Sequence, residues 1–179
     1  MGAGAAARVA ARRRPLRVEA RLRRVKKPKK AGPRVAIVSA DFHEAIAAAM
    51  LASANSEAQT FGARVVETVH VSGCYETPLM TERLLGQKGI DAVIVLGCIE
   101  RGETLHGEVM GHVVHRALLE SSLQYDKPVG LGIIGPGATP AQATARTDGT
   151  ARSAVRAAMR SLAVSASAKA PRSSKGSKK

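Results

Sequence analysis

The sequence predicts an α/β protein: a single domain with a four-stranded parallel sheet flanked by helices on both faces. Three observations carry this. Short, nearly wholly apolar runs recur as V-A-I-V (35–38), A-V-I-V-L (92–96) and V-G-L-G-I-I (129–134), the pattern of strands covered on both sides. Longer stretches with apolar residues at helical spacing separate them. Polar loops follow the strand ends. Strands alternating with helices in this way make βαβ units and a parallel sheet.

The elements follow in order. Residues 1–33 contain almost nothing large and apolar and cannot bury enough surface to offset their ordering entropy, so a disordered basic tail is expected there. The folded body spans 34–163. Its first strand, 35–38, leads through the polar S-A-D-F-H into a helix over 44–59, with Met50, Leu51 and Ala54 facing inward and Gly62 closing it. R-V-V-E-T-V-H-V (64–71) alternates as a second strand. S-G-C-Y-E-T-P (72–78) is a loop whose Pro78 suits the first turn of a helix ending near Gly86. After the third strand, 92–96, comes the segment L-G-C-I-E-R-G-E-T-L-H-G-E-V-M-G (96–111), which reads as strand end, polar loop and helix start. Val109, Met110, Val113, Val114, Ala117 and Leu118 give the next helix its face, from about 108 to 125, until D-K-P breaks it. The fourth strand, 129–134, precedes a turn-rich G-P-G-A-T-P. A last helix is expected over 141–163, interrupted near Asp148 and Gly149, and residues 164–179 form a second disordered basic tail.

The net charge of +14 does not belong to the body. Residues 1–34 hold 13 Lys/Arg against the single acid Glu19, and 165–179 hold five with no acid; the 130 residues between carry 10 basic and 13 acidic groups, a net −3. The tails are solvated arms or, alternatively, electrostatic handles for nucleic acid or an acidic partner. No apolar run is long enough to span a bilayer. Two cysteines cannot build a disulfide framework, and no secretory signal is evident, so a reducing, cytoplasmic setting is expected. The Ala/Arg-rich N-terminus also has the acid-poor character of an organelle transit peptide, without its usual serines.

In a parallel sheet the loops 41–43, 73–78 and 101–106 emerge at one edge and can line one pocket. Phe42 and Tyr75, two of only four Phe/Tyr residues, lie in them and can stack on a flat heterocycle or simply cap the core. Glu76 can accept hydrogen bonds from polyol hydroxyls or complement a helix dipole. Thr104 with nearby backbone N–H groups can hold phosphate or cap a helix. His106, read one or two residues before a helix, can exchange protons with a bound ligand. His106, His112, His115 and Glu108 lack the spacing of the common zinc helix motif, and no metal is expected. The formal G-x-G-x-x-G at 130–135 lies inside a strand, unlike a dinucleotide fingerprint; its glycines suit close approach of a ligand or backbone. Arg146, Arg152, Arg156 and Arg160 offer either phosphate pairing or a solvated helix face.

Taken together, V-S-G-C-Y-E-T-P-L, D-A-V-I-V-L-G-C-I-E-R-G-E-T-L-H, L-Q-Y-D-K-P-V-G-L-G-I and G-A-T-P-A-Q-A with a following arginine resemble the 6,7-dimethyl-8-ribityllumazine synthases of riboflavin biosynthesis, over residues 34–163. The resemblance implies a transferase without cofactor or metal that joins 5-amino-6-(D-ribitylamino)uracil to 3,4-dihydroxy-2-butanone 4-phosphate. It implies that Phe42 stacks on the pyrimidine, that Cys74, Tyr75 and Glu76 hold the ribityl chain, and that main-chain atoms of Ile99 and Glu100 meet the uracil. Gly102, Glu103 and Thr104 then form the phosphate turn, and His106 transfers protons. Leu131 and Arg146 come from a neighbouring subunit, which implies a homo-oligomer, either a pentamer or a shell of twelve pentamers. Ser72, His43, Cys74 and Glu100 depart from the usual Pro, Asn, Ala and apolar residue, and a lysine common after the arginine has Arg152 as its nearest match. The alternative is a non-catalytic scaffold of the same fold, binding nucleic acid or acidic cargo through its tails. A paralogue dismutating lumazine to riboflavin fits the intact R-G-E-T-L-H loop less well.

Overall fold

Successive side chains of a strand point to opposite faces, so runs such as V-A-I-V must feed two cores at once. The structure, a computed structural model, describes residues 32–168; of the tails expected over 1–33 and 164–179, residues 1–31 and 169–179 lie outside them, and 164–168 belong to the last helix. It contains β1 (Arg34–Ala40), α1 (Glu44–Thr60), β2 (Arg64–Val71), a single 3-10 turn at Cys74–Glu76, α2 (Thr77–Leu85), β3 (Ala92–Glu100), α3 (His106–Tyr125), β4 (Val129–Ala138) and α4 (Pro140–Ala168). The strands form one parallel sheet in the order β2-β1-β3-β4.

Val35, Ile37, Ile94 and Leu96 pack with Met50, Ala54, Val155 and Met159 beneath α1 and α4. Ala36, Val38, Val93 and Val95 pack with Leu84, Leu85, Val114 and Leu118 beneath α2 and α3. With so few aromatics, volume is replaced by close approach: Ala54, Ala58, Ala151, Ala154 and Ala158 are all buried in the first layer. The glycines of the 130–135 motif serve this packing. A side chain at Gly130 would collide with the backbone oxygen of Ala154, so only glycine lets α4 lie this close to β4.

The boundaries differ from the sequence expectation chiefly in β3, β4, α3 and α4, and β1 runs two residues past the expected Val38. β3 continues four residues past Leu96, because Gly97 and Cys98 pair with Ile133 and Ile134 and Glu100 with Ala138. β4 correspondingly runs through the Gly-Pro-Gly that reads as a turn; it is an edge strand, where a missing proline N–H is tolerated. α3 starts at His106, so that histidine opens the helix instead of preceding it. α4 is unbroken at Gly149, where Asp148 accepts hydrogen bonds from Ser53 of α1 and Arg152 of its own helix, both at 2.8 Å, and it extends to Ala168. No described helix is long and apolar enough to cross a membrane.

Candidate active site

The carboxyl ends of β2, β1 and β3 lie side by side, and the chain reverses its direction of sheet growth between β1 and β3, which opens a crevice there. A cavity of about 440 Å³ occupies it. Its lining holds Phe42, Ser72, Gly73, Cys74, Tyr75, Glu76, Cys98, Ile99, Glu100, Gly102, Thr104, His106, Gly107 and Met110. Nine of the twelve sequence-predicted site residues are thus brought together by one chain.

Each is positioned by local physics. Phe42, at the rim, is 67% exposed, leaving a ring face open to a ligand. The loop carrying it is anchored through Asp41, whose carboxylate accepts from Ser39 Oγ at 2.8 Å and lies 2.7 Å from His70 Nδ1, while its N–H donates to the carbonyl of Val71. Asp41 and His70 were not evident as site supports from sequence. The available signal was that Ser39 and His70 are register partners with an acid just beyond. Cys74 is buried because Gly97 makes room for it; a side chain there would meet Cys74 Sγ at 2.8 Å. Burial, with the neighbouring Cys98 adding to it, pushes the Cys74 thiol up to about 11, so it is a neutral wall and not a nucleophile.

Tyr75 and His106 meet edge to face, with ring centroids 5.7 Å apart. The His106 N–H points to Thr104 Oγ at 3.4 Å, so this hydroxyl both supports the start of α3 and faces the cavity. An anion here would meet the N-terminal end of a twenty-residue helix. Yet, among the described residues, the lining contains two carboxylates, Glu76 and Glu100, and no Lys or Arg.

The three remaining predicted residues lie elsewhere. Glu103 lines an adjacent groove with Arg101, Glu108 and Pro136. Leu131 and Arg146 line a separate depression of about 770 Å³ between β4 and α4, with Val129, Thr150 and Ser153. Arg146 is exposed and reaches only its own helix, donating to the carbonyl of Gln142 at 3.2 Å. Arg152 and Arg156 are instead engaged by the buried Glu57, at 3.0 and 2.7 Å. Among the described residues no group of three or more His, Cys, Asp or Glu could hold a metal ion. His112 faces Glu108 at 4.0 Å, and His115 Nδ1 lies 2.7 Å from the Gly111 carbonyl.

The family model for 6,7-dimethyl-8-ribityllumazine synthase matches residues 32–166. Among similar proteins, the 6,7-dimethyl-8-ribityllumazine synthase of Methanococcus aeolicus is 43% identical over 115 residues, 64% of this chain and 85% of that protein. The one from Staphylothermus marinus is 41% identical over 124 residues, covering 69% and 83%. That of Pyrobaculum arsenaticum is 39% identical over 127 residues, covering 71% and 85%. With the parallel sheet and the cavity at its carboxyl edge, these matches show that the chain belongs to the 6,7-dimethyl-8-ribityllumazine synthase family.

Proposed function

We propose that this protein condenses 5-amino-6-(D-ribitylamino)uracil with 3,4-dihydroxy-2-butanone 4-phosphate, releasing phosphate and water and forming 6,7-dimethyl-8-ribityllumazine. The observation that carries the reading is the single cavity in which an exposed aromatic, a polyol-competent carboxylate, a helix N-terminus and an imidazole converge, within a chain matched by the family model over 32–166.

Phe42 stacks on the pyrimidine, and Ile99 and Glu100 meet its edge through main-chain atoms. Cys74, Tyr75 and Glu76 enclose the ribityl chain, with Glu76 accepting hydroxyl hydrogen bonds. Gly102, Glu103 and Thr104 wrap the phosphate at the start of α3. The substrate amine attacks the ketone and one water leaves as the imine forms; phosphate is eliminated and the resulting enol tautomerises to a ketone; the ribityl-bearing nitrogen attacks that carbonyl, and a second water leaves as the ring closes. Holding both substrates together removes much of the entropic barrier, and His106 transfers protons between nitrogen and oxygen. No metal or cofactor is required by these steps.

A lining without Lys or Arg leaves the phosphate dianion short of positive charge. Arg146 on its distant depression is an unpaired candidate, and it reaches the cavity only if a second copy supplies it. The proposed assembly is therefore a ring in which β4 and α4 of one protomer complete the cavity of the next, a pentamer or a shell of pentamers. Two buried free cysteines suit a cytoplasmic setting. The test is formation of fluorescent lumazine from the two purified substrates, with the assembly's mass measured on the same sample. A preparation that makes no product would overturn the reading.

A further inference from the structure

His43 and Glu100 belong to different elements, the start of α1 and the end of β3, yet they meet beside the cavity. His43 Nε2 lies 3.3 Å from Glu100 Oε2. That nitrogen is closed off from solvent and has no hydrogen bond of good geometry within the described residues. A buried imidazole nitrogen needs a partner, and the Glu100 carboxylate is the one charged group within reach. His43 also packs edge to face on Phe42, with ring centroids 4.9 Å apart. The imidazole is therefore wedged between the exposed aromatic of the rim and the carboxylate of the lining. Glu100 is 44% exposed at its side chain, accepts no hydrogen bond from any described residue, and lines both the cavity and the adjacent groove, so its carboxylate has lone pairs free for a ligand.

We propose that the Glu100 side chain, held in place by His43, is a specificity determinant that accepts a hydrogen bond from an N–H of the aminopyrimidine substrate. The inference rests on the functional reading above and deepens it. A carboxylate cannot favour a phosphate ester, which repels it, whereas a diaminouracil presents several N–H donors and no negative charge. Although Glu100 also borders the groove of residues 101–104, its charge and its link through His43 to Phe42 assign its side chain to the pyrimidine end. His43 is a positioning residue: it acts on substrate through Glu100.

The experiment measures KM for each substrate by lumazine fluorescence in the unaltered chain, Glu100→Gln, His43→Asn and the double variant. Loss of one charge-assisted hydrogen bond is expected to raise KM for the aminopyrimidine about tenfold in Glu100→Gln, with KM for the butanone phosphate moved less than about twofold. His43→Asn should raise the same constant by a smaller factor, and should add almost nothing on the Glu100→Gln background, because its effect passes through the carboxylate. A merely structural pair would move both KM values together, and that result would overturn the proposal. So would an unmoved aminopyrimidine KM in Glu100→Gln. Absence of product from the unaltered chain would sink the functional reading and this inference with it; product with an unmoved KM would sink this inference alone.

Discussion

His106 opens α3, edge to face with Tyr75, and its ring lies on the cavity wall while its backbone N–H is directed at Thr104. Exposure keeps this imidazole in contact with water, so solvent can replace part of what it does. His106→Ala is accordingly expected to lower kcat by about ten- to a hundredfold without abolishing turnover, read with both substrates saturating. Unchanged turnover would remove it from the proton path. Such residues were legible in the sequence because an imidazole, a carboxylate and two rings in loops after strand ends have few other reasons to cluster. Glu57 was not. A glutamate in the last turn of an alanine-rich helix reads as solvated, and its burial goes with Arg152 and Arg156, almost a hundred positions away. The His43–Glu100 approach was hidden for the same reason, since only the parallel pairing of β1 and β3 brings the two ends together.

At the level of elements, the sequence located β2 to the residue and the starts of β3 and β4, and missed the carboxyl ends of β1, β3 and β4. The extra residues of β3 and β4 owe their conformation to each other's backbone, so glycine and proline in 135–137 carried the wrong message. Helix termination was easier to read. Gly62 has φ +65°, its N–H donates to the Gln59 carbonyl, and the Ala63 N–H donates to that of Ala58, the paired bonds that close a helix through a left-handed residue. A side chain there would meet nothing within 4 Å, so the cost of substitution is conformational alone. Gly62→Ala should destabilise by about 1 kcal/mol, a fall of roughly 3 °C in Tm by calorimetry. Between α1 and α4 the argument is electrostatic. Hydrogen bonds from Arg156 and then Arg152 hold the Glu57 carboxyl below its usual 4.5. A depressed folded pKa means stabilisation that is complete above the ordinary value and lost as pH falls through the folded one. Glu57→Gln should therefore lower Tm at neutral pH, and its deficit against the unaltered chain should narrow as melts are taken below about pH 4.5. A deficit constant from pH 7 to pH 3 would show that charge is not the cause.

For the whole molecule, the question is why Arg146, proposed to bind the phosphate, lies away from its own chain's cavity. Leu131 and Arg146 share a depression formed by an edge strand and the long last helix, and among the described residues the cavity at the sheet's carboxyl edge has no Lys or Arg in its lining. In the proposed ring, a head-to-tail contact would supply each cavity with the next protomer's arginine, and every protomer would both give and receive. This has a consequence that separates a shared site from one built within a chain. His106→Ala spoils the receiving surface and leaves the donating one intact, while Arg146→Ala does the reverse. If the two variants are unfolded together, mixed in equal amounts and reassembled, random neighbours place an intact His106 against an intact Arg146 at about a quarter of the sites. Activity should rise to roughly that fraction of the unaltered enzyme, from two parents that are each impaired, and Arg146→Ala alone should show its defect chiefly as a raised KM for the butanone phosphate. A mixture no more active than the average of its parents would mean that both residues serve the same protomer's cavity, and the ring would lose its catalytic reason.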